Sequence, residues 1–162
     1  MVVELYCGAG HIGQAIAALT DRPLIQVDDA AAACCWAAHN AHRNSITSGV
    51  VRADIGTMPF RAGCAALVLA DPPYVPTAET HRFPEDPLHA IDGGDDGLEG
   101  FRTCLPAAAR LLRTRGFLVL QVRGEEQAAA VAALPSLVEL GLERVDVAVS
   151  SATRAVLELV RR

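Results

Sequence analysis

Asp71-Pro72-Pro73-Tyr74 is the stretch best suited to chemistry. Both prolines hold φ near ~−65° and lack an N–H donor, so the run presents carbonyl oxygens in a stiff geometry. A carboxylate precedes them and an aromatic ring follows. Such a set can accept hydrogen bonds from the N–H groups of a planar amide or an exocyclic amine and stack a ring upon it. A plain turn after a strand uses the same residue types, so the placement of other acids decides. Asp28, followed by Asp29, and Asp54, followed by Ile55, end two further strand-like runs, Pro23 to Val27 and Gly49 to Ala53. Strand-end acids also serve as helix N-caps and turn formers. In an open parallel sheet, however, ligands bind at the carboxyl ends of the strands. Asp28, Asp54 and Asp71 would then face one crevice.

That crevice needs a floor, and the start of the chain provides one. Val2 to Tyr6 reads as a short buried strand, and Cys7-Gly8-Ala9-Gly10 as a tight turn. His11 to Leu19 follows with apolar residues at helical spacing. Strand, glycine turn and helix form the nucleotide-cradling unit of doubly wound folds. Gly8 and Gly10 allow the backbone to approach a ligand, and the helix start adds free N–H groups. Gly8, Gly10 and Gly13 match G-x-G-x-x-G, with Asp28 at the offset of a ribose-binding acid. The stretch therefore fits a dinucleotide as well as S-adenosyl-L-methionine. Glu4 tips the balance, because a carboxylate inside the first strand is costly to bury. An acid there can organise the glycine loop and the cationic methionine end of S-adenosyl-L-methionine. On this reading Glu4, Tyr6, Cys7, Gly8 and Gly10 meet the cofactor from below. Asp28 and Asp29 hold its ribose hydroxyls, Asp54 and Ile55 border its adenine, and Asp71 stands beside its reacting end.

The elements that must position these residues alternate. Strands are expected at Val2–Tyr6, Pro23–Val27, Gly49–Ala53, Ala65–Ala70, Phe117–Val122, Leu142–Val149 and Ala155–Val160. Helices are expected over His11–Leu19, Ala30–Arg43, Leu98–Thr114 and Glu125–Leu134, with a further short turn from Pro135. The wholly apolar run Ala65–Ala70 suits a central parallel strand, and the final strand pair implies an antiparallel end. Val75 to Gly97 is rich in Pro, Gly and acids. It reads as a long irregular segment, and such segments are usually functional.

At 162 residues the chain is expected to be one domain, residues 1–162, able to bury a real core. An apolar content of 51% excludes a disordered chain. The net charge of −5 and pI near 5.5 argue against a phosphate-backbone partner. No apolar run has the length of a membrane span. No basic segment precedes an apolar one at the start, so a secretory leader is not expected. The five cysteines, Cys7, Cys34, Cys35, Cys64 and Cys104, form no C-x-x-C pair. They read as free thiols of a reducing cytoplasm. His39 and His42 lie three apart on a helix but lack a third ligand, so no metal is expected.

Four stretches resemble the HemK family of protein glutamine N5-methyltransferases, which are class I S-adenosylmethionine enzymes. Glu4 to Gly13 is similar to their motif I, and Asp71 to Pro76 to their Asn-Pro-Pro-Tyr-Ile-Pro stretch. Ala90 to Leu98 is similar to Leu-Asp-Gly-Gly-x-Asp-Gly-Leu, the most specific of the four. Leu112 to Val122 resembles their Leu-x-x-Gly-Gly strand approach, with Arg115 in place of the first Gly. The tail Arg154 to Arg162 is similar to their last strand. The resemblance implies a Rossmann-like, three-layer α/β sandwich around a mostly parallel seven-stranded sheet with an antiparallel C-terminal strand. It also implies S-adenosyl-L-methionine as cofactor, a protein glutamine as acceptor, and Asp71, Pro72, Pro73 and Tyr74 as the catalytic residues.

Two departures stand out. The family carries Asn at the Asp71 position; Asp keeps the acceptor but adds a charge, and is the form of adenine and guanine amino methyltransferases. The family also has a helical substrate-binding domain and a cofactor-covering segment before the sheet, whereas here the first strand begins at residue 2. A partner chain, or a second copy in a homodimer, is therefore expected to complete the lid. Against a nucleic-acid acceptor stands the loop itself. Glu79, Glu85, Asp86, Asp92, Asp95, Asp96 and Glu99 face only Arg82 within it and repel phosphates. A small-molecule acceptor and a catalytically silent binding module stay open. A dehydrogenase would need a substrate domain and has no use for Asp-Pro-Pro-Tyr.

Overall fold

The structure, a computed structural model, describes residues 1–162. Seven strands form one sheet in the order β3-β2-β1-β4-β5-β7-β6. They are β1 (Val2–Leu5), β2 (Leu24–Asp28), β3 (Ser48–Arg52), β4 (Ala65–Ala70), β5 (Leu112–Val122), β6 (Leu142–Ser151) and β7 (Arg154–Arg161). The helices are α1 (His11–Thr20), α2 (Ala31–Arg43), α3 (Leu88–Ile91), α4 (Glu99–Leu111), α5 (Gly124–Ala132) and α6 (Ser136–Glu139). β7 pairs antiparallel with both β5 and β6, while the pairs from β3 to β5 are parallel. The last strand alone thus runs against the rest, as the alternating pattern and terminal strand pair imply.

Helices cover both faces. α4 and α5 pack over the side that carries Val3, Leu5, Val68, Leu118, Leu120 and Leu157, and Phe101 is fully buried between them. α1 covers the other side with a smaller cluster of Val2, Ala17, Leu24 and Leu69. Alternating side chains along each strand produce this two-sided burial. On the α1 side, the sheet beyond β4 is less covered: Phe117 is 40% and Val156 37% exposed.

Two expectations change. The helix expected to run to Thr114 ends at Leu111, and β5 starts at Leu112, which pairs with Ala65. Arg115-Gly116 is therefore an irregularity inside a strand rather than a turn before it, since Leu67 already pairs with Phe117. Arg115 sits at φ 62, the left-handed conformation that a Gly adopts freely and an Arg adopts at a cost. The segment from Val75 is also more ordered than its composition implies. It holds a 3-10 turn over Thr77–Arg82 and the short helix α3, and returns through a bridge between Val75 and Asp92.

Candidate active site

Strand order and register build the site. The chain turns one way from β1 to β2 and the other way to β4, so the switch point lies between β1 and β4, where ligands of doubly wound sheets bind. Leu5 is level with Val27 and with Ala70, Asp28 with Arg52, and Ala70 with Leu120. Tyr6 and the glycine turn, Asp28, Asp54, Asp71 and Gln121 consequently emerge along one edge. All three strand-end acids stand where the sequence places them.

The glycine turn is held from several sides. Gly8 (φ 51) donates its N–H to Asp28 Oδ2 at 2.9 Å, and Ala30 N–H meets Asp28 Oδ1 at 2.9 Å. A side chain at Gly8 would meet nothing within 4 Å, so open space lies over the turn. Gly10 (φ 80) directs its carbonyl inward to Gln26 Nε2 at 3.0 Å. Cys7 N–H donates to Val27 O at 3.0 Å, and the buried Cys7 thiol is pushed upward by desolvation. Tyr6 is half-buried at φ 56, a left-handed conformation that costs a non-glycine residue on the order of 1 kcal/mol. Burial also raises its phenol.

Glu4 is engaged beneath the glycine turn. It is 3% exposed, accepts from Gly13 N at 2.9 Å and from Gln26 Nε2 at 2.6 Å, and desolvation raises its carboxyl. Gln14 Nε2 in turn donates to Gln26 Oε1 at 3.1 Å and to Ala37 O at 2.9 Å. Glu4 therefore ties β1, β2 and α1 together beneath the turn. Of the two tasks expected of it, organising the loop is the one these contacts perform. Gln26 and Gln14 are the residues that sequence reading missed here, although a lone Gln in the apolar run of β2 is a readable sign of a buried polar partner.

The adenine side is more exposed. Asp29 and Asp54 are on the surface; Asp29 O accepts from Arg52 Nε, and Asp54 Oδ1 from Thr57 Oγ1. Ile55 is 5% exposed and packs in the main core, so only its backbone is left for a ligand.

On the other side of the switch point Asp71 is half-buried, and desolvation pushes its carboxyl up to about 6. A cavity of about 280 Å³ opens beside it. Asp71, Pro72 and Tyr74 contribute to its lining, with Val75, Phe83 and Ile91 as apolar neighbours and Arg123 and Arg154 as charged ones. Tyr74 Oη accepts from Gln121 Nε2 at 3.2 Å. Phe83 and Ile91 come from the segment read as irregular, and Arg154 from the β6–β7 hairpin; nothing local in the sequence marks them for this cavity. The acidic loop is partly neutralised. Glu79 pairs with Arg82 and Arg123, and Asp96 pairs doubly with Arg102, which holds its carboxyl down at about 2. Asp92 accepts from Thr77 Oγ1 and Gly94 N. Glu85, Asp86, Asp95 and Glu99 remain without ion pairs.

His39 packs edge-on against Trp36, which is 60% exposed, with ring centroids 5.8 Å apart. All five cysteines are free; Cys7 and Cys104 are buried and Cys35 is exposed. No helix is long and apolar enough to cross a membrane.

No family model matches the chain. Curated relatives do. A release factor glutamine methyltransferase of Gloeobacter violaceus is 39% identical over 133 residues, 75% of this chain and 45% of that protein. One of Moorella thermoacetica is 36% identical over 137 residues, 80% of this chain and 48% of that protein. The chain thus spans about half the length of these relatives. Among solved structures, a methyltransferase from Pyrococcus furiosus superposes with a TM-score of 0.73 at 14% identity, over 99% of this chain and 74% of that one. At that identity the likeness is one of fold, and it agrees with the strand order and the single reversed strand. Together with the glycine turn, the strand-end acids and the Asp71–Tyr74 run, these matches lead to one conclusion: the chain belongs to the HemK family of release factor glutamine methyltransferases.

Proposed function

We propose that residues 1–162 form a catalytic domain that transfers a methyl group from S-adenosyl-L-methionine to a side-chain amide nitrogen of a protein glutamine. The observation that carries this reading is the half-buried, desolvated Asp71 followed by two prolines, at the switch point and beside the glycine turn. The residues fit the cofactor: open space lies over Gly8, and the Asp28 carboxylate, oriented by two backbone N–H groups, retains lone pairs for a ribose diol. Asp29, Asp54 and the backbone of Ile55 border the adenine end, while Glu4 acts through the loop it holds. When bound, S-adenosyl-L-methionine supplies an electrophilic methyl group on a sulfonium.

An amide nitrogen is a poor nucleophile because its lone pair is delocalised into the carbonyl. Asp71 Oδ and the Pro72 carbonyl accept its N–H groups and aim the lone pair toward the cofactor side. Tyr74 stacks on the amide plane and excludes water, its hydroxyl tethered by Gln121. Positioning and electrostatics supply the rate, and the methylated nitrogen sheds its surplus proton readily. The acidic groups left unpaired around the mouth favour a protein acceptor over a nucleic acid. The free cysteines fit a reducing cytoplasm.

Asp28→Ala tests the cofactor half. It removes the ribose acceptor and frees the Gly8 N–H, so affinity for S-adenosylhomocysteine falls at least about thirtyfold, near 2 kcal/mol. Calorimetric titration reads this directly; unchanged affinity would place the cofactor elsewhere.

A second chain, a partner protein or another copy, closes the site. The open space over Gly8 at the glycine turn supports this. Light scattering during turnover should show a complex larger than 17.0 kDa. Full activity as an isolated monomer would overturn it.

A further inference from the structure

Gln127, on α5, lies outside every stretch that carries the family resemblance, yet it meets three segments of the site. Its Nε2 donates to Tyr74 O at 2.9 Å and to Gly97 O at 3.1 Å. Its Oε1 accepts from Arg123 N at 2.7 Å, at the end of β5. One carboxamide thus joins the acceptor run, the Gly93–Gly97 loop and the central sheet. Both its donors and its acceptor are used, so its orientation is defined.

The loop it grips presses on the acceptor run. Val75 N donates to Ile91 O at 2.9 Å, and Gly93 N to Val75 O at 2.8 Å. Gly97 (φ 72) lies so close that a Cβ there would stand 2.8 Å from Tyr74 O. A Cβ on Gly100 would overlap Pro73 O. Backbone oxygens of the acceptor run are therefore set by packing from one side and by Gln127 from the other. The prolines cannot contribute N–H donors of their own to this task.

We propose that Gln127 is a positioning residue for methyl transfer, fixing the direction of the Pro72–Tyr74 carbonyls by holding Tyr74 and Gly97 together. The inference rests on the methyltransferase reading. Gln127→Glu keeps the shape and the bond from Arg123 N but places a carboxylate oxygen against two carbonyls. Gln127→Met keeps bulk and removes all three bonds.

The test uses the full chain, labelled S-adenosyl-L-methionine and a bacterial release factor as acceptor. In both variants kcat falls at least tenfold, while the Kd for S-adenosylhomocysteine stays within about twofold and KM for the cofactor is unchanged. Gly97→Ala gives the same split, because it moves the same carbonyl by a different route. In Gln127→Met the Arg123 amide also exchanges with deuterium at least tenfold faster, whereas in Gln127→Glu it does not. Wild-type kcat in Gln127→Glu, beside an active parent, overturns this inference alone. Parallel loss of cofactor affinity and kcat also overturns it, because the residue then supports the whole domain. A parent chain that binds no S-adenosylhomocysteine and methylates nothing overturns the methyltransferase reading, and the inference with it.

Discussion

Methyl transfer falls as pH drops through about 6, while the protein becomes more stable over the same range. Both effects come from Asp71, whose carboxyl is raised to about 6 by desolvation, against an ordinary 3.8. The ionised form offers two full acceptor oxygens to the acceptor amide and the protonated form only one, so kcat/KM falls by up to about tenfold as pH drops through that point and then levels off. The stability effect has the opposite sign. A group raised in the folded state binds its proton more tightly there than in the unfolded chain. The stabilisation is therefore present below about 4 and lost as pH rises through about 6. The span of about two pH units corresponds to at most about 3 kcal/mol. Glu4, also raised by burial, acts in the same direction.

Asp71→Asn separates the two roles. It keeps one oxygen acceptor, matches the residue the family carries, and removes the titrating charge. Activity is retained within about tenfold and the acid limb of the pH profile disappears. Asp71→Ala removes the acceptor and lowers kcat at least a hundredfold, near 3 kcal/mol. S-adenosylhomocysteine affinity changes less than threefold in either variant. A pH profile with the acid limb still present in Asp71→Asn would assign that limb to another group.

Glu4→Ala loosens the cofactor site and the fold together. The variant leaves Gly13 N–H without its acceptor, removes one partner of Gln26 Nε2 and opens a void between β1, β2 and α1. An orphaned buried donor and a cavity each cost on the order of 1–3 kcal/mol, so the total expected is about 3 kcal/mol. A urea midpoint reads that loss. S-adenosylhomocysteine binding weakens about tenfold, because the turn over Gly8 to Gly13 is no longer held to the sheet. A carboxylate that touched the cofactor directly would give a different pattern, with affinity lost and the urea midpoint preserved.

The ionic character of the loop illustrates how contacts alter a sequence-based argument without reversing it. Read along the chain, the segment from Glu79 to Glu99 is a run of acids facing one arginine. In space, Arg123, just after β5, and Arg102 from α4 reach back to Glu79 and Asp96. The Asp96–Arg102 pair is exposed and contributes little stability, while the Glu79–Arg123 pair is half-buried. Their effect is on shape: they fasten the 3-10 turn and the Gly-rich loop against the mouth of the cavity. The surplus of unpaired acids that remains still opposes a phosphate backbone.

What the sequence by itself determined is local and periodic. The glycine turn between a strand and a helix, the acids at strand ends, the proline pair and the reversed final strand all follow from residue type and spacing within short windows. The edge where Asp28, Asp54 and Asp71 meet follows as well, because parallel strands carry their carboxyl ends to one side. Tertiary structure decided the rest through contacts between residues far apart in the chain. Glu4 holds a loop because Gln26, 22 positions on, is buried opposite it. β5 starts at Leu112 and not beyond Arg115 because Ala65 offers it a partner, which overrides the local turn signal. Val75 to Gly97 is ordered because its own backbone bonds close onto the acceptor run. Gln127 sits in an Ala-rich helix with nothing in its neighbourhood to mark it, and its role arises only where three distant backbones converge.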